Sequence, residues 1–395
     1  MSKPKIAIVV QRYGEEVNGG AEQMARWVAE RLTALAEVHV ITTCAIDYQT
    51  WADHYPAGSS QLNGVQLHRF PVDQPRDWQA AQASTYQVFN LPHTEAEEAA
   101  WLKEQGPYAS GLFDYIRAQR DAFELFFFFT YIYAPAGFGL PLVADKAVFV
   151  PCAHAEPALY LPIFRPLFHQ CRFIAYNTSS EKALVERVMG NAHVPNLVIG
   201  TGVDQPMGAD PAQFRETYNL DGPYILYAGR IAPSKNVPEL LDHFQRFRRE
   251  TGTDVKLVLL GRANIPLPAD PAIVATGFVS EEMKYAAIAG AELVVVPSRF
   301  ESLSIITLEG WLLDRPVLVN GQCQVLLDLA RQSQGGLFYT SYAEFKLTLS
   351  RLLSDAAVRQ TLGSSGHAFA DANFSWPVVL AKYEALLNIL THAHH

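Results

Sequence analysis

Leu293-Val294-Val295-Val296-Pro297-Ser298-Arg299-Phe300-Glu301-Ser302-Leu303-Ser304-Ile305-Ile306-Thr307-Leu308-Glu309 is the stretch whose reading decides the fold. Its first four residues are an uninterrupted apolar, mostly β-branched run, the signature of a strand covered on both faces. A short polar turn follows, and then apolar residues at helical spacing, read as a helix over Glu301–Leu313. Pro316–Asn320 is the next strand. Strand, turn, helix and strand in this order make a parallel βαβ unit.

The junction also holds candidate chemistry. Glu301 and Glu309 are eight residues apart, a little over two helical turns, so both can face one side. With Glu301 just ahead of the helix, the amides of Ser302, Leu303 and Ser304 become first-turn donors without intrahelical partners. Such a helix end, with Ile305 following, is a ready anion site. A surface helix with two solvated acids has the same spacing, and spacing alone leaves that alternative open.

Outward from this junction the grammar repeats. On its amino-terminal side lie strands at Tyr224–Gly229, Val255–Leu260 and Ile273–Thr276, with helices over Pro238–Glu250 and Glu281–Ala289. The loop Gly229-Arg230-Ile231-Ala232-Pro233-Ser234-Lys235-Asn236 leaves the carboxyl end of a strand, where open α/β sheets bind ligands. Arg230 grips a phosphate with a planar fork and Lys235 adds a point charge, although basic loops of this kind are common. The earlier half has strands at Lys5–Gln11, Glu37–Thr43, Phe123–Tyr133, Ala147–Pro151, Arg172–Asn177 and Asn196–Thr201. Helices are read over Ala21–Leu35 and Ser179–Met189, and residues 47–120 as an irregular, proline-interrupted region with some helix. The expected division is a first domain over 1–204, a linker over 205–222 and a second domain over 223–376. The last helix, about 377–391, crosses back to the first domain.

Two further features lie in the first half. Asn18-Gly19-Gly20-Ala21-Glu22 follows the first strand; its glycines allow close backbone approach to a ligand or simply form a tight turn. The pattern is not GxGxxG and has no acidic partner at the usual spacing, which disfavours a nicotinamide dinucleotide. His154, in Val150-Pro151-Cys152-Ala153-His154-Ala155-Glu156, lies just past a strand end; a lone histidine there is either structural or a hydrogen-bonding group of a site. A His154/Glu156 metal pair lacks a third ligand.

Composition narrows the classes. With 31 Lys and Arg against 40 Asp and Glu the chain is acidic, at −9, and lacks the basic stripe a duplex binder needs. The Arg165–Arg172 segment is read as a local membrane-surface patch or as ordinary amphipathic structure. Four cysteines, widely spaced and without CxxC, fit neither a zinc site nor a disulfide scaffold and point to a reducing cytoplasm. The run Phe123–Ala134 carries Glu124 and is shorter than the ~20 residues of a membrane span. The amino terminus reads as no signal peptide, and the His-rich Thr391–His395 tail as a disordered end rather than a metal site.

These features occur in an order that resembles family 4 of the retaining glycosyltransferases. The resemblance covers almost the whole chain and is strongest from Tyr224 to Asn320. It rests on Gly19 and Gly20, His154, the Gly202-Val203-Asp204 turn, Arg230 with Lys235, and the Glu301…Glu309 pair. The resemblance implies a GT-B fold, with two Rossmann-like α/β domains facing each other across a cleft that closes on substrate. It implies transfer of a sugar from a nucleoside-diphosphate donor to a saccharide, lipid-linked or small-molecule acceptor, with retained anomeric configuration.

By the same resemblance Arg230 and Lys235 bind the diphosphate beside Gly229, and Glu309 holds the ribose hydroxyls. Glu301 and the amides that follow it hold the donor sugar. Gly277-Phe278-Val279 contacts the nucleobase, His154 reaches the donor sugar, and Gly19 and Gly20 bring amides to phosphate or sugar. Ser304 stands where the family often has glycine. Two cations and a helix end suffice to offset leaving-group charge, so neither a metal nor a cofactor is expected, the nucleotide sugar being a co-substrate. A sugar-nucleotide epimerase of the same fold and a non-catalytic relative are the competing readings. The base (uracil or guanine in the first instance), sugar, acceptor and oligomeric state stay open, as does a peripheral contact with a membrane.

Overall fold

The computed structural model describes residues 3–391. The His-rich end, apart from Thr391, lies outside the described residues. Contacts divide the chain into two compact units. One runs to Gly202 and takes in the chain again from Val379; the other is Val203–Val378.

The first unit is built on β1 (Lys5–Val9), α1 (Gly20–Leu32), β2 (Glu37–Thr43), β3 (Gly58–Leu62), β4 (Val65–Phe70), α2 (Trp78–Asn90), α3 (Glu95–Gln105) and α4 (Ser110–Ala118). It continues through β5 (Leu125–Phe129), α5 (Ala134–Gly139), β6 (Ala147–Val150), α6 (Arg165–Gln170), β7 (Phe173–Tyr176), α7 (Ser179–Met189) and β8 (Asn196–Val198). The sheet order is β3-β4-β2-β1-β5-β6-β7-β8, parallel except where β3 runs antiparallel to β4. The central strands are buried along their length because helices cover both faces.

Two expectations for this unit need correcting. Residues 47–120 are largely regular: a hairpin, β3–β4, extends the sheet, and α2, α3 and α4 follow. Prolines punctuate the region, but Asp77 caps α2 and a full capping box at Thr94 and Glu97 starts α3. The Phe123–Tyr133 strand is shorter than read, because Thr130 takes a left-handed φ of 63° and turns the chain off the sheet. In segment 165–172, Arg165 and His169 reach Met189 O at 3.3 and 2.9 Å, and Arg172 reaches Leu390 O at 2.7 Å.

The second unit holds α8 (Pro211–Thr217), β9 (Tyr224–Ala228), α9 (Val237–Thr251), β10 (Lys256–Leu260), β11 (Ile273–Gly277), α10 (Glu281–Gly290) and β12 (Leu293–Val296). After these come α11 (Ile305–Leu312), β13 (Val317–Asn320), α12 (Gln324–Ser333), β14 (Gly336–Tyr339), α13 (Tyr342–Ser354) and α14 (Ala356–Phe374). The last helix, α15 (Trp376–Thr391), starts here and passes into the first unit. Its Tyr383 ring lies 6.3 Å from Phe127 in that unit.

The all-parallel order is β11-β10-β9-β12-β13-β14. Side chains alternate across the sheet: Leu226, Val258, Val294 and Val296 enter one core with Trp311, while Ile225, Leu257, Leu259 and Val295 enter the other with Phe244. Trp311 donates to Gly335 O at 2.8 Å, and a Cβ on Gly366 would lie 2.2 Å from its ring. Segment 205–222, read as a linker, belongs to this unit, because α8 buries Phe214 in its core. The short strand β14, which the sequence patterns above do not include, completes the sheet's edge.

Candidate functional site

In the second unit the chain leaves β9 for β10 and β11 on one side, then returns to β12 on the other. The switch point lies between β9 and β12, and a crevice outside the carboxyl ends of two such strands is where doubly wound sheets take ligands. The loops leaving these two strands are 229–236 and 297–304, and they carry the candidate residues.

The backbone at this edge is open. Gly229, Gly261 and Gly277 follow or end the neighbouring strands β9, β10 and β11, with φ of 145°, 127° and 72°. A Cβ on Gly261 would meet Gly229 O at 2.2 Å. Only glycine takes these dihedrals at low cost, so this rim is bare backbone. Gly261 was not singled out from the sequence; it has no motif of its own.

Arg230 is exposed, and its carbonyl accepts from Tyr227 Oη at 2.6 Å. Lys235 ends a short 3-10 turn, Pro233–Lys235, after which Asn236 takes a left-handed φ of 57° and starts α9. That turn aims Lys235 across the switch point, where Nζ donates to Glu301 Oε1 at 2.6 Å. Both side chains are partly shielded, with 29% and 15% exposure. The loop after β12 is pinned from several directions. Pro297 O accepts from Asn236 Nδ2 at 3.2 Å and Asn320 Nδ2 at 3.0 Å. Glu239 Oε2 accepts from Asn236 Nδ2 at 2.9 Å and Arg299 Nη2 at 2.6 Å. The Cys323 thiol, its pKa raised by burial, takes a hydrogen bond from the Glu301 backbone.

The helix after Glu301 begins later than read. Ser304, extended at φ −128°, is the N-cap, so the helix runs from Ile305 and its first-turn amides are those of Ile305, Ile306 and Thr307. Thr307 N turns back to Ser304 O at 3.1 Å. Ser302, Leu303 and Ser304 therefore precede the helix; Leu303 and Ser304 are buried, and Ser304 Oγ accepts from Thr307 Oγ1 at 2.9 Å. Glu309 lies in the second turn, 3% exposed. Burial raises its pKa, opposed by Lys284, whose Nζ donates to Glu309 Oε1 at 2.6 Å. Phe278 and Val279 follow β11, Phe278 being strongly exposed.

The remaining candidates lie in the first unit. Gly19, extended at φ 170°, is the N-cap of α1, which starts at Gly20. A Cβ on Gly19 would come within 2.3 Å of Glu22 Oε2, whereas one on Gly20 would meet nothing. Glu22 is held by a buried pair with Arg12, at 2.9 Å to Nε and 2.5 Å to Nη2. Gly19 is thus fixed by packing against that pair. His154 follows β6, its Nδ1 3.5 Å from Glu156 Oε1, which also accepts from Tyr131 Oη at 2.7 Å. Glu181 ties this loop down: Ala153 N and Asn177 N donate to its two oxygens at 2.6 Å each. Among the described residues no group of three or more His, Cys, Asp or Glu side chains is placed to hold a metal.

Residues 222–355, which contain Arg230, Lys235, Glu301 and Glu309, match the family model described as glycosyl transferases group 1. An alpha-D-kanosaminyltransferase of Streptomyces kanamyceticus is 31% identical over 189 residues, which is 44% of this chain and 47% of that protein. The chain spans about half the length of the curated relatives it matches. Among solved structures, sucrose-phosphate synthase from Thermosynechococcus elongatus superposes with a TM-score of 0.75 at 17% identity, over 99% of this chain and 100% of that one. Anabaena HepE in complex with UDP and glucose does so at 0.70 and 16%, over 98% and 99%. The fold is the two-domain α/β architecture of GT-B glycosyltransferases.

Proposed function

We propose that the protein is a retaining glycosyltransferase that takes a sugar from a nucleoside-diphosphate donor bound on its second unit. The observation that carries the reading is the meeting of Lys235 and Glu301 at the switch point, Glu301 standing four residues ahead of the helix that begins at Ile305. The match of the same segment to the glycosyltransferase model supports it.

Negative charge grows on the phosphate oxygen as the bond to the anomeric carbon breaks. In the proposal Arg230, Lys235, the backbone at Gly229 and the helix end at Ile305 offset that charge. Glu301, with Ser302, Leu303 and Ser304, positions the sugar; Glu309 accepts from the ribose hydroxyls, and Gly277, Phe278 and Val279 border the base. The acceptor attacks from the face the nucleotide leaves, and the departing phosphate takes its proton. The charge set needs no divalent metal. Uracil is the first base and saccharides are the first acceptors to test, since the HepE structure holds UDP and glucose.

The proposal extends to His154, Gly19 and Gly20 as resemblance assigns them. It also extends to a cytoplasmic setting, in keeping with four free cysteines; no helix of the described residues is long and apolar enough to cross a membrane. The test is a panel of UDP-, GDP- and ADP-sugars incubated with saccharide acceptors, with products read by mass spectrometry and anomeric NMR coupling. An α-linked product from an α-linked donor bears the reading out. Turnover of every donor to a free epimer without any acceptor would replace it with an epimerase.

A further inference from the structure

Lys284 had no motif to mark it in the sequence. It lies in α10, a helix started by Ser280, whose Oγ accepts from Met283 N at 3.2 Å. From there its Nζ reaches Glu309 Oε1 at 2.6 Å. Glu309 is 3% exposed, and a carboxylate taken this far out of water without a counter-charge binds a proton instead. A protonated carboxyl has an O–H to donate and loses much of its strength as an acceptor. Ribose presents two hydroxyl donors, so a residue that is to hold both needs its carboxylate form.

We propose that Lys284 is the positioning residue of the nucleotide subsite: its bond to one oxygen of Glu309 keeps that side chain a carboxylate and leaves the other oxygen for the ribose hydroxyls of a nucleoside diphosphate. The inference rests on the reading of Glu309 as the ribose-binding group.

The charged surroundings make Lys284 decisive. Glu281, also on α10, lies 3.8 Å from Lys284 and pushes the pKa of Glu309 up, in the same direction as burial. Tyr285 of the same helix stays a neutral phenol, its own pKa raised by burial and by Glu309. The strands flanking α11, β12 and β13, carry only Leu, Val and Asn. On α14, Arg359 pairs with Glu292, His367 with Asp314, and Asp371 is exposed. Lys284 is therefore the one cation acting on Glu309 among the described residues. Without it, burial and Glu281 act unopposed, and buried glutamates in such settings titrate as high as ~8–9.

The test is calorimetric titration of the full chain with UDP, then GDP and ADP, from about pH 7 to about pH 9, above the second ionisation of the terminal phosphate near ~6, for wild type, K284M, K284Q, K284M/E309Q and E309Q. In the wild type the Kd changes by no more than about twofold across that interval. In K284M and K284Q it weakens by about tenfold or more as the pH falls, because the carboxylate is lost to protonation; a charge-assisted bond is worth about that factor. K284M/E309Q, with no carboxyl at position 309 to titrate, binds weakly and keeps the wild type's flat profile. K284Q preserves a polar side chain and keeps the test alive if K284M does not fold. A flat profile in K284M and K284Q, with E309Q still impaired, overturns the role of Lys284 and leaves the ribose reading intact. Wild-type binding of none of the three nucleotides, or unimpaired binding by E309Q, overturns the donor-site reading and the Lys284 assignment with it.

Discussion

Lys235 Nζ and Glu301 Oε1 lie 2.6 Å apart, the two side chains arriving from the loops that leave β9 and β12. The groups assigned to the diphosphate and to the sugar are thus already bonded to each other. A bound pyrophosphate has to share Lys235 with Glu301 or take it over.

That competition separates two variants. E301Q replaces a charged acceptor by a neutral one and so weakens the hold on Lys235; it binds free UDP or GDP at least as tightly as the wild type while its transfer rate falls about a hundredfold. K235A loses both, its barrier rising by about 2.7–4 kcal/mol, the usual loss for one preorganised donor. Titration and steady-state rates on the same preparations check this. A proportional loss of nucleotide affinity and turnover in E301Q would count against the shared lysine.

Glu181 supports a different prediction. Its two oxygens each accept one backbone N–H, from Ala153 and Asn177, inside a fully buried setting that pushes its pKa up to about 8. A glutamine can accept from only one of the two, and its NH2 then faces the other donor. Above about pH 8, where Glu181 is a carboxylate, E181Q should lose about 1–3 kcal/mol of stability, the cost of a buried unsatisfied group, measurable by denaturant unfolding. Its turnover should fall as well if His154 is catalytic, because Glu181 anchors the residue before it. Wild-type stability in E181Q would show that the loop does not depend on this anchor.

A third prediction concerns pH. His39 Nδ1 and His68 Nε2 are 2.9 Å apart with rings stacked at 5.2 Å, and Glu37 and Ser59 occupy the outer nitrogens at 2.9 Å. Desolvation, then His39 and Lys5, bring His68 down to about 4, and burial lowers His39 as well. The folded state therefore binds fewer protons here than the unfolded chain, whose histidines titrate near 6.5. The stability this pair contributes is present above about pH 6.5 and is lost as the pH falls toward 4. The melting temperature should decline over that window, and H68Q should decline less steeply. A profile with the same slope in both proteins would remove the pair from the account.

Metal dependence is the fourth. Since two cations and a helix end supply the charge in the proposed reaction, turnover in excess EDTA should stay within about twofold of the untreated rate, a difference well under 1 kcal/mol. Abolished activity that magnesium restores would mean that a metal, and not Arg230 and Lys235 alone, carries the leaving group.

Much of the second unit was legible from residue patterns, for a physical reason. Strands such as Leu293–Val296 are covered on both faces and so appear as unbroken apolar runs, and helices such as Val237–Thr251 carry their caps and apolar stripes with them. The hairpin β3–β4 escaped notice because Gly58–Leu62 is polar and exposed, pairing along one edge only. The start of α11 lies four residues beyond the Glu301 at which the pattern begins, since Glu301–Ser304 suits a first helical turn as well as an extended approach and only the backbone chooses between them. Lys284 and Glu181 were invisible for another reason: each acts through a partner on a different element, at 25 and 28 residues' separation, and a single sequence does not record which distant side chains meet.

The most direct measurement is a crystal structure of the protein with UDP, or with GDP or ADP should UDP not bind. The account predicts the β-phosphate within hydrogen-bond distance of Lys235 and Arg230, and the ribose hydroxyls on Glu309. A nucleotide bound elsewhere, with Lys235 still committed to Glu301 alone, would contradict it.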